Sequence, residues 1–393
     1  MRTVLTASRL LTPDHVVEQP IVVIEDGVIA ALASRSHSEL PAGQHVKLPD
    51  ATLIPALFDV HIHGSGGHDV MEATDDALSH IGTFLAGHGV GAYCATTVTA
   101  PLESLLRSLS GLAKLMDVPL NGARPVGIHL EGPFLSPHKR GAHAESQLLT
   151  PSVDLFDRMW QASEGNILIM TIAPELPGAE ETIAHATKLG VRVSLGHSDA
   201  DAQAARRGVL AGAVTATHTF NAMRRFDHRD AGLIGEVLTN DHLFAEIICD
   251  GLHVDPTVVH LFWKAKGPER ALLITDAMAG TGMPDGNYRL GELEVRVKNG
   301  RAIIGEDTLA GSTLTLDRAI RNFAEFTGAG FTATVPLATR NPARMAGIDA
   351  EIGVLAPGRS ADIAVLSAKH EVIETFLRGE PQMAPSTQGY FNG

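Results

Sequence analysis

The stretch Phe58-Asp59-Val60-His61-Ile62-His63-Gly64 places two imidazoles one residue apart. A strand alternates its side chains, so His61 and His63 share one face. Two neutral imidazoles at the end of a strand can grip one cation. A lone His-x-His pair also fits ordinary core or surface histidines and gains weight only from company. That company comes downstream, where short apolar runs end in His129-Leu130-Glu131-Gly132-Pro133, Gly196-His197-Ser198-Asp199, His218-Thr219-Phe220-Asn221, Asp250-Gly251-Leu252-His253 and Thr275-Asp276-Ala277.

Glu131, His197 and His218 offer one carboxylate and two imidazoles, a set that leaves a position open on a catalytic divalent ion. Such an ion acidifies water and polarises a carbonyl. Asp276 then suits a general base that takes a proton from water and returns it to a leaving amine. His61 and His63 can hold a second cation, with Glu131 bridging. Each residue alone has a bland reading: Glu131 as the partner of a neighbouring histidine, His197 and His218 as satisfied core groups, Asp276 as a cap. Jointly the metal reading is favoured. His129 shares the face of Glu131 and reads as support. His15, His88, His228 and His260 receive no role.

Arg224, Arg225 and Arg229 follow Asn221-Ala222 and are compatible with an anion cradle, although Arg224 and Arg225 read better as a solvated loop. Lys139-Arg140-Gly141-Ala142-His143 reads as a basic lid loop. Leu309-Ala310-Gly311-Ser312-Thr313 is a small-residue turn that lets backbone approach a ligand.

These residues need a frame that brings them together. Eight runs read as strands: Leu53–His61, Ala92–Val98, Val126–Leu130, Ile167–Ile172, Val191–Leu195, Ala213–His218, Phe244–Cys249 and Ala271–Thr275. Helical stretches alternate with them, the pattern of a closed (β/α)8 TIM-type barrel whose active site lies at the C-terminal strand ends. A doubly wound sheet competes, but no Gly-rich dinucleotide fingerprint follows the first strand. Tyr288–Val297 and Arg301–Ile304, around Asn299-Gly300, read as an inserted hairpin. Residues 1–52 contain a hairpin of Ile21–Ile24 and Val28–Ala31 turning on Asp26-Gly27. Short strands return after 346, at Ala361–Leu366. The economical division is a small β-sandwich domain from residues 1–52 plus 346–393, beside a barrel over 53–345. The tail from Pro381 to Gly393 reads as loosely ordered.

The 393 residues are 44% hydrophobic and 19% charged, a globular balance. The net charge of -14 argues against nucleic acid as partner. No apolar run reads as membrane-spanning. The start lacks a signal-peptide core, and Cys94 and Cys249 sit in apolar runs as buried thiols, so a cytoplasmic protein is expected.

The His-x-His pair, His197, His218 and Asp276 at these strand ends resemble the amidohydrolase superfamily, as does the Gly353–Leu366 return to the β domain. Within it, His129-Leu130-Glu131-Gly132-Pro133-Phe134, Leu195-Gly196-His197-Ser198, His218-Thr219-Phe220-Asn221-Ala222-Met223, Asp250-Gly251-Leu252-His253 and Leu309-Ala310-Gly311-Ser312 are similar to the deacetylases of amino-sugar phosphates. The resemblance implies hydrolysis of N-acetylglucosamine 6-phosphate, with the galactosamine isomer as alternative; a cyclic amide or a non-catalytic scaffold ranks lower. It implies a divalent cation, zinc or iron, one or two per subunit, on Glu131, His197 and His218, with Asp276 as proton carrier. Asn221, Ala222, Arg229 and the Asp250-Gly251-Leu252-His253 segment would hold the sugar phosphate. Ala142, with His143 beside it, and Leu309, Ala310 and Gly311 would line the sugar. The carboxylated lysine of many relatives has no counterpart, and Glu131 fits its bridging position. A homodimer or larger homo-oligomer is expected, with Arg229 serving either its own or a neighbouring subunit.

Overall fold

The computed structural model describes residues 2–12 and 15–382. The expectation of a loose tail after Pro381 falls almost wholly outside the described residues. The barrel strands are β1 (Leu57–Ile62), β2 (Val90–Thr97), β3 (Arg124–Glu131), β4 (Ile167–Ile172), β5 (Arg192–Leu195), β6 (Thr215–Ala216), β7 (Ala245–Ile248) and β8 (Ala271–Ile274). β1 to β6 form one parallel sheet in chain order, and β7 pairs with β8. Backbone hydrogen bonds join the two sheets. Ala216 N–H donates to Phe244 O at 3.1 Å and Thr219 N–H to Glu246 O at 2.8 Å, while Asp276 N–H donates to His61 O at 2.9 Å. The curled parallel sheet therefore carries its strand ends around one mouth, the geometry of a TIM-type barrel.

Near-continuous apolar strands follow from burial on both faces. Every residue of β1, β2, β7 and β8 is buried. Amphipathic helices cover them. The helix Asp75–Ala86 begins where the Thr74 side chain accepts from Ala77 N–H, and it buries Leu78, Ile81 and Leu85. Among the described residues no helix is long and apolar enough to cross a membrane. Cys94 and Cys249 are buried and free.

Chain from both ends forms a second sheet. Its order is Glu380–Pro381, Val372–Leu377, Ile363–Leu366, Gln44–Pro55, Arg2–Leu11, Pro20–Glu25, Val28–Ser34, with Val16–Glu18 on Arg2–Leu11. Leu5, Leu10, Val22, Ile29, Leu53, Ile363 and Phe376 share one core there. The Asp26-Gly27 turn has φ of 49° and 81°, the two positive values that a tight hairpin turn needs.

Three boundaries differ from the sequence reading. Leu53–Pro55 is not the start of β1, because Leu53 pairs with Leu10 and Val365 in the second sheet. Leu53 packs in the second sheet's core and Ile54, Leu57 and Phe58 in the barrel's, all of them buried, so hydropathy shows no break between them. β6 is a two-residue ladder rather than Ala213–His218. The backbone leaves it to reach φ of 27° at His218 and 81° at Phe220. The insertion after β8 is a four-stranded antiparallel sheet of Gly286–Leu290, Leu293–Lys298, Arg301–Ile304 and Thr308–Leu309. A turn at Gly291, φ 55°, splits the expected Tyr288–Val297 strand.

Candidate active site

Glu131, at the end of β3, lies between two groups. Its Oε1 is 3.1 Å from Nε2 of His197 and 3.1 Å from Nε2 of His218, and these two nitrogens are 3.0 Å apart. Its Oε2 is 3.4 Å from His61 Nε2 and 3.2 Å from His63 Nε2. Asp276 Oδ1 stands 3.0 Å from His63 Nε2 and 3.6 Å from His61 Nε2. All six residues are buried. His197, His218 and Asp276 have φ of 47°, 27° and 50°, in the left-handed region that non-glycine residues adopt uncommonly.

Outer partners set the proton positions. His63 Nδ1 faces Thr96 O at 3.0 Å and His197 Nδ1 faces Lys139 O at 2.9 Å. His61 Nδ1 faces Glu246 Oε2 at 3.2 Å. These oxygens only accept, so each Nδ1 carries a hydrogen and each neutral ring turns an Nε2 lone pair toward a carboxylate. Lone pair against lone pair is stable only with a positive charge between them. His61 Nε2 indeed has no hydrogen-bond partner. The donor set of imidazole nitrogen and carboxylate oxygen suits a first-row divalent ion. His61, His63 and Asp276 form one cluster that could hold an ion, and Glu131, His143 and His197 another.

A proton is the other positive charge that can fill this role. Burial resists charge on His63, but hydrogen bonds to Asp276 and Glu131 outweigh it and bring its pKa to about 9, so the ring is neutral only when a cation displaces that proton. Burial likewise opposes ionisation of Asp276, and His63 and His61 overcome it, giving about 2. His197 is held at about 4, chiefly by burial. Glu131 stays well below the usual carboxylate range despite its burial, because of His61, His143, His197 and His218.

His129 is tied at both nitrogens, by Val60 O at 3.0 Å and Thr171 Oγ1 at 2.8 Å, and turns none toward the cluster. His143 has the opposite tautomer from the ligand candidates. Thr99 N–H donates to its Nδ1 at 3.3 Å, so Nε2 carries the hydrogen, 3.7 Å from Glu131 Oε2. It is a donor there rather than a lone pair.

A cavity of about 210 Å³ opens above these groups. Ala142, His143, Asn221, Ala222, His253, Leu309 and Gly311 line it. Asn221 Nδ2 is buried and lacks a protein partner. Asp250 Oδ2 takes the His253 Nδ1 hydrogen at 2.7 Å and so orients that ring. A Cβ on Gly311, φ 66°, would meet Asp276 O at 2.9 Å, so this turn needs glycine. Gly251 and Leu252 are exposed and Ala310 is buried in the inserted sheet; they stand beside the cavity rather than on its wall. Arg229 is exposed and its side chain does not line the cavity of its own chain. Arg224 is engaged by Asp230 at 2.9 Å, as a solvated loop residue would be.

Sequence reasoning does not reach Glu246, Asp59, Val98, Leu290 or Leu293. Glu246 Oε2 also accepts from His218 N–H at 3.2 Å, and Asp59 accepts from Thr275 Oγ1 at 2.6 Å. Val98, Leu290 and Leu293 complete the cavity wall.

Residues 52–382 match the amidohydrolase family. An N-acetylgalactosamine-6-phosphate deacetylase of Escherichia coli O157:H7 is 37% identical, over 97% of this chain and 99% of its own. An N-acetylglucosamine-6-phosphate deacetylase of Vibrio furnissii is 36% identical, over 91% and 89%. A solved N-acetyl-D-glucosamine-6-phosphate deacetylase mutant of Mycobacterium smegmatis, in complex with N-acetyl-D-glucosamine-6-phosphate, superposes with a TM-score of 0.92 at 36% identity, covering 97% of this chain and 99% of that one.

Proposed function

We infer the activity from the premise that this chain belongs to the amidohydrolase family. It hydrolyses the acetamide of N-acetyl-D-glucosamine 6-phosphate, giving D-glucosamine 6-phosphate and acetate. The observation that carries this reading is Glu131, with one oxygen on His197 and His218 and the other on His63 and His61, beneath a cavity of monosaccharide scale.

Glu131, His197 and His218 would hold a divalent cation, zinc or iron by donor chemistry, and His61, His63 and Asp276 a second one. When bound, such a cation polarises the amide carbonyl and acidifies water. Asp276 acts as general base toward the attacking water and then passes that proton to the leaving nitrogen. Its low pKa keeps it ionised at neutral pH, the form a base requires, and favours passing an acquired proton onward. His143 presents an N–H to the cavity and is placed to donate to the substrate oxygen. Asn221, Ala222 and His253 receive the phosphate end, with Asp250 fixing His253. Gly251 and Leu252 shape that segment's backbone. Ala142, Leu309, Ala310 and Gly311 frame the sugar.

The division into a small β-sandwich domain from both termini, residues 1–52 plus 346–393, and a barrel domain, 53–345, is supported by an apolar core within the terminal sheet, with Leu53–Pro55 moved to the small domain and Leu11, Ile54, Ala364 and Leu366 packing it onto the barrel. Arg229 stands off its own cavity, which favours a homo-oligomer, a dimer at least, in which it completes a neighbour's phosphate site. The two buried thiols favour a reducing compartment, the cytoplasm.

A second reading, deacetylation of the galactosamine isomer, is favoured by the Escherichia coli relative. Steady-state kinetics on the 6-phosphates of both N-acetylhexosamines and their unphosphorylated forms test it. The phosphorylated gluco substrate should exceed its unphosphorylated form in kcat/KM by on the order of 10⁴-fold, the loss expected when a site built to pair a polar group finds none. No release of amine from either phosphate would end the deacetylase reading.

A further inference from the structure

The cavity has two chemically different ends. Toward β6 and β7 stand Asn221, Ala222 and His253, with the Asn221 amide hydrogens unclaimed by protein and the His253 ring steered by Asp250. On the far side stands Val98, which follows β2, joined by Leu290 and Leu293 of the inserted sheet. In a ring of eight strands in chain order, β2 and β6 stand opposite each other. Val98 and Leu290 belong to one packed cluster with Met278, Val295 and Val297, so this wall is core-like and resists widening.

A hexosamine 6-phosphate matches that polarity. Its N-acyl group is on C2, and its phosphate hangs from C5 through C6; these two ring carbons lie across the pyranose from each other. With the phosphate at the donor-rich end and the amide carbonyl over Glu131, the acyl chain runs toward the apolar side. We propose that Val98, Leu290 and Leu293 form an acyl pocket that holds the methyl of the N-acetyl group and limits the length of the acyl chain this enzyme removes. The assignment rests on the deacetylase reading above. One methylene in a tight apolar pocket changes kcat/KM by roughly 10–200-fold, so the wall is able to select acetyl over longer chains.

The test compares N-formyl, N-acetyl, N-propionyl and N-butyryl glucosamine 6-phosphate with the wild type, Leu293→Ala, Leu293→Phe and Val98→Ala. Leu293 is only half-buried, so its truncation is compatible with folding. The wild type should prefer acetyl to butyryl by at least about tenfold, and Leu293→Ala and Val98→Ala should shift that ratio toward the longer chains by about tenfold. Leu293→Phe should shift it toward formyl. Inhibition by inorganic phosphate should stay unchanged in all three variants, because the anion end is untouched. Acyl-chain ratios within about twofold of wild type in every variant would overturn the acyl-pocket assignment while leaving the deacetylase reading standing. A wild type inactive on all four substrates would instead sink that reading and the assignment with it.

Discussion

Nδ1 of His61 faces Oε2 of Glu246 at 3.2 Å, with both side chains fully buried. The carboxylate fixes the hydrogen on Nδ1 and turns the Nε2 lone pair toward Glu131 and Asp276. The same oxygen accepts from His218 N–H, so one side chain braces residues of both proposed ligand groups. Glu246→Gln keeps the shape but weakens the hold on Nδ1. It should lower the affinity of the His61–His63 position for zinc about 10–100-fold, the usual cost of removing an outer partner of a metal histidine. Elemental analysis and calorimetric zinc titration read this without any assay of turnover. Unchanged stoichiometry and affinity would reject the bracing role.

Asp276→Asn removes the proposed proton carrier and leaves a side chain of the same size. Turnover should fall by about 10²–10⁴-fold, the range for loss of a positioned general base. The ion on Glu131, His197 and His218 should remain, since Asp276 touches His63 and His61 rather than those residues. Kinetics paired with metal analysis check this, and an Asn variant with wild-type kcat would refute the assignment.

Much of this centre is legible in the sequence because each polar residue closes an apolar run, and barrel geometry sends all such ends to one mouth. His61, His63, Glu131, His197, His218 and Asp276 are all found that way. Glu246 is not, because a lone carboxylate within Phe244–Cys249 forms no motif and its partner His61 is 185 positions away. Val98, Leu290 and Leu293 are equally silent, since an apolar side chain announces burial but not which cavity it faces. The same ambiguity hides the change of sheet at Pro55, where two cores share one hydrophobic run.

Away from the centre, Asp317 accepts from His88 at 3.2 Å and pairs with Arg321 at 2.9 Å. Burial pushes its pKa up, but His88 and Arg321 outweigh that and bring it to about 2. A depressed folded-state value stabilises the protein above the unfolded value of 3.8, and the benefit is lost as pH falls toward 2. Asp317→Asn should therefore cost about 2 kcal/mol near neutral pH, and the difference from wild type should vanish by about pH 2. Urea unfolding across that range measures it; a cost independent of pH would show that the ionised form is not what stabilises.

Glycine is required at Gly311, where φ is 66° and a Cβ would meet the Asp276 carbonyl at 2.9 Å. Gly311→Ala combines backbone strain with that contact and should cost about 1–3 kcal/mol of stability. The displaced turn should also raise KM, because Gly311 lines the cavity. Thermal unfolding and kinetics together decide; an Ala variant with wild-type Tm and KM would contradict the geometry.

Arg229 provides the test of assembly. Its side chain is exposed and lies off the cavity of its own chain. If it completes a neighbour's phosphate site, Arg229→Ala and Asp276→Asn damage different subunits of the same site. Each variant alone should be nearly inactive on the phosphorylated sugar. Unfolded together, mixed in equal amounts and refolded, they should form mixed dimers in which the Arg229→Ala chain keeps its Asp276 and borrows the partner's arginine. Random pairing would restore about a quarter of the wild-type sites, with one competent site in each mixed dimer. Were Arg229 to serve its own subunit, neither chain of the mixed dimer would hold both groups and activity would stay at the level of the separate variants.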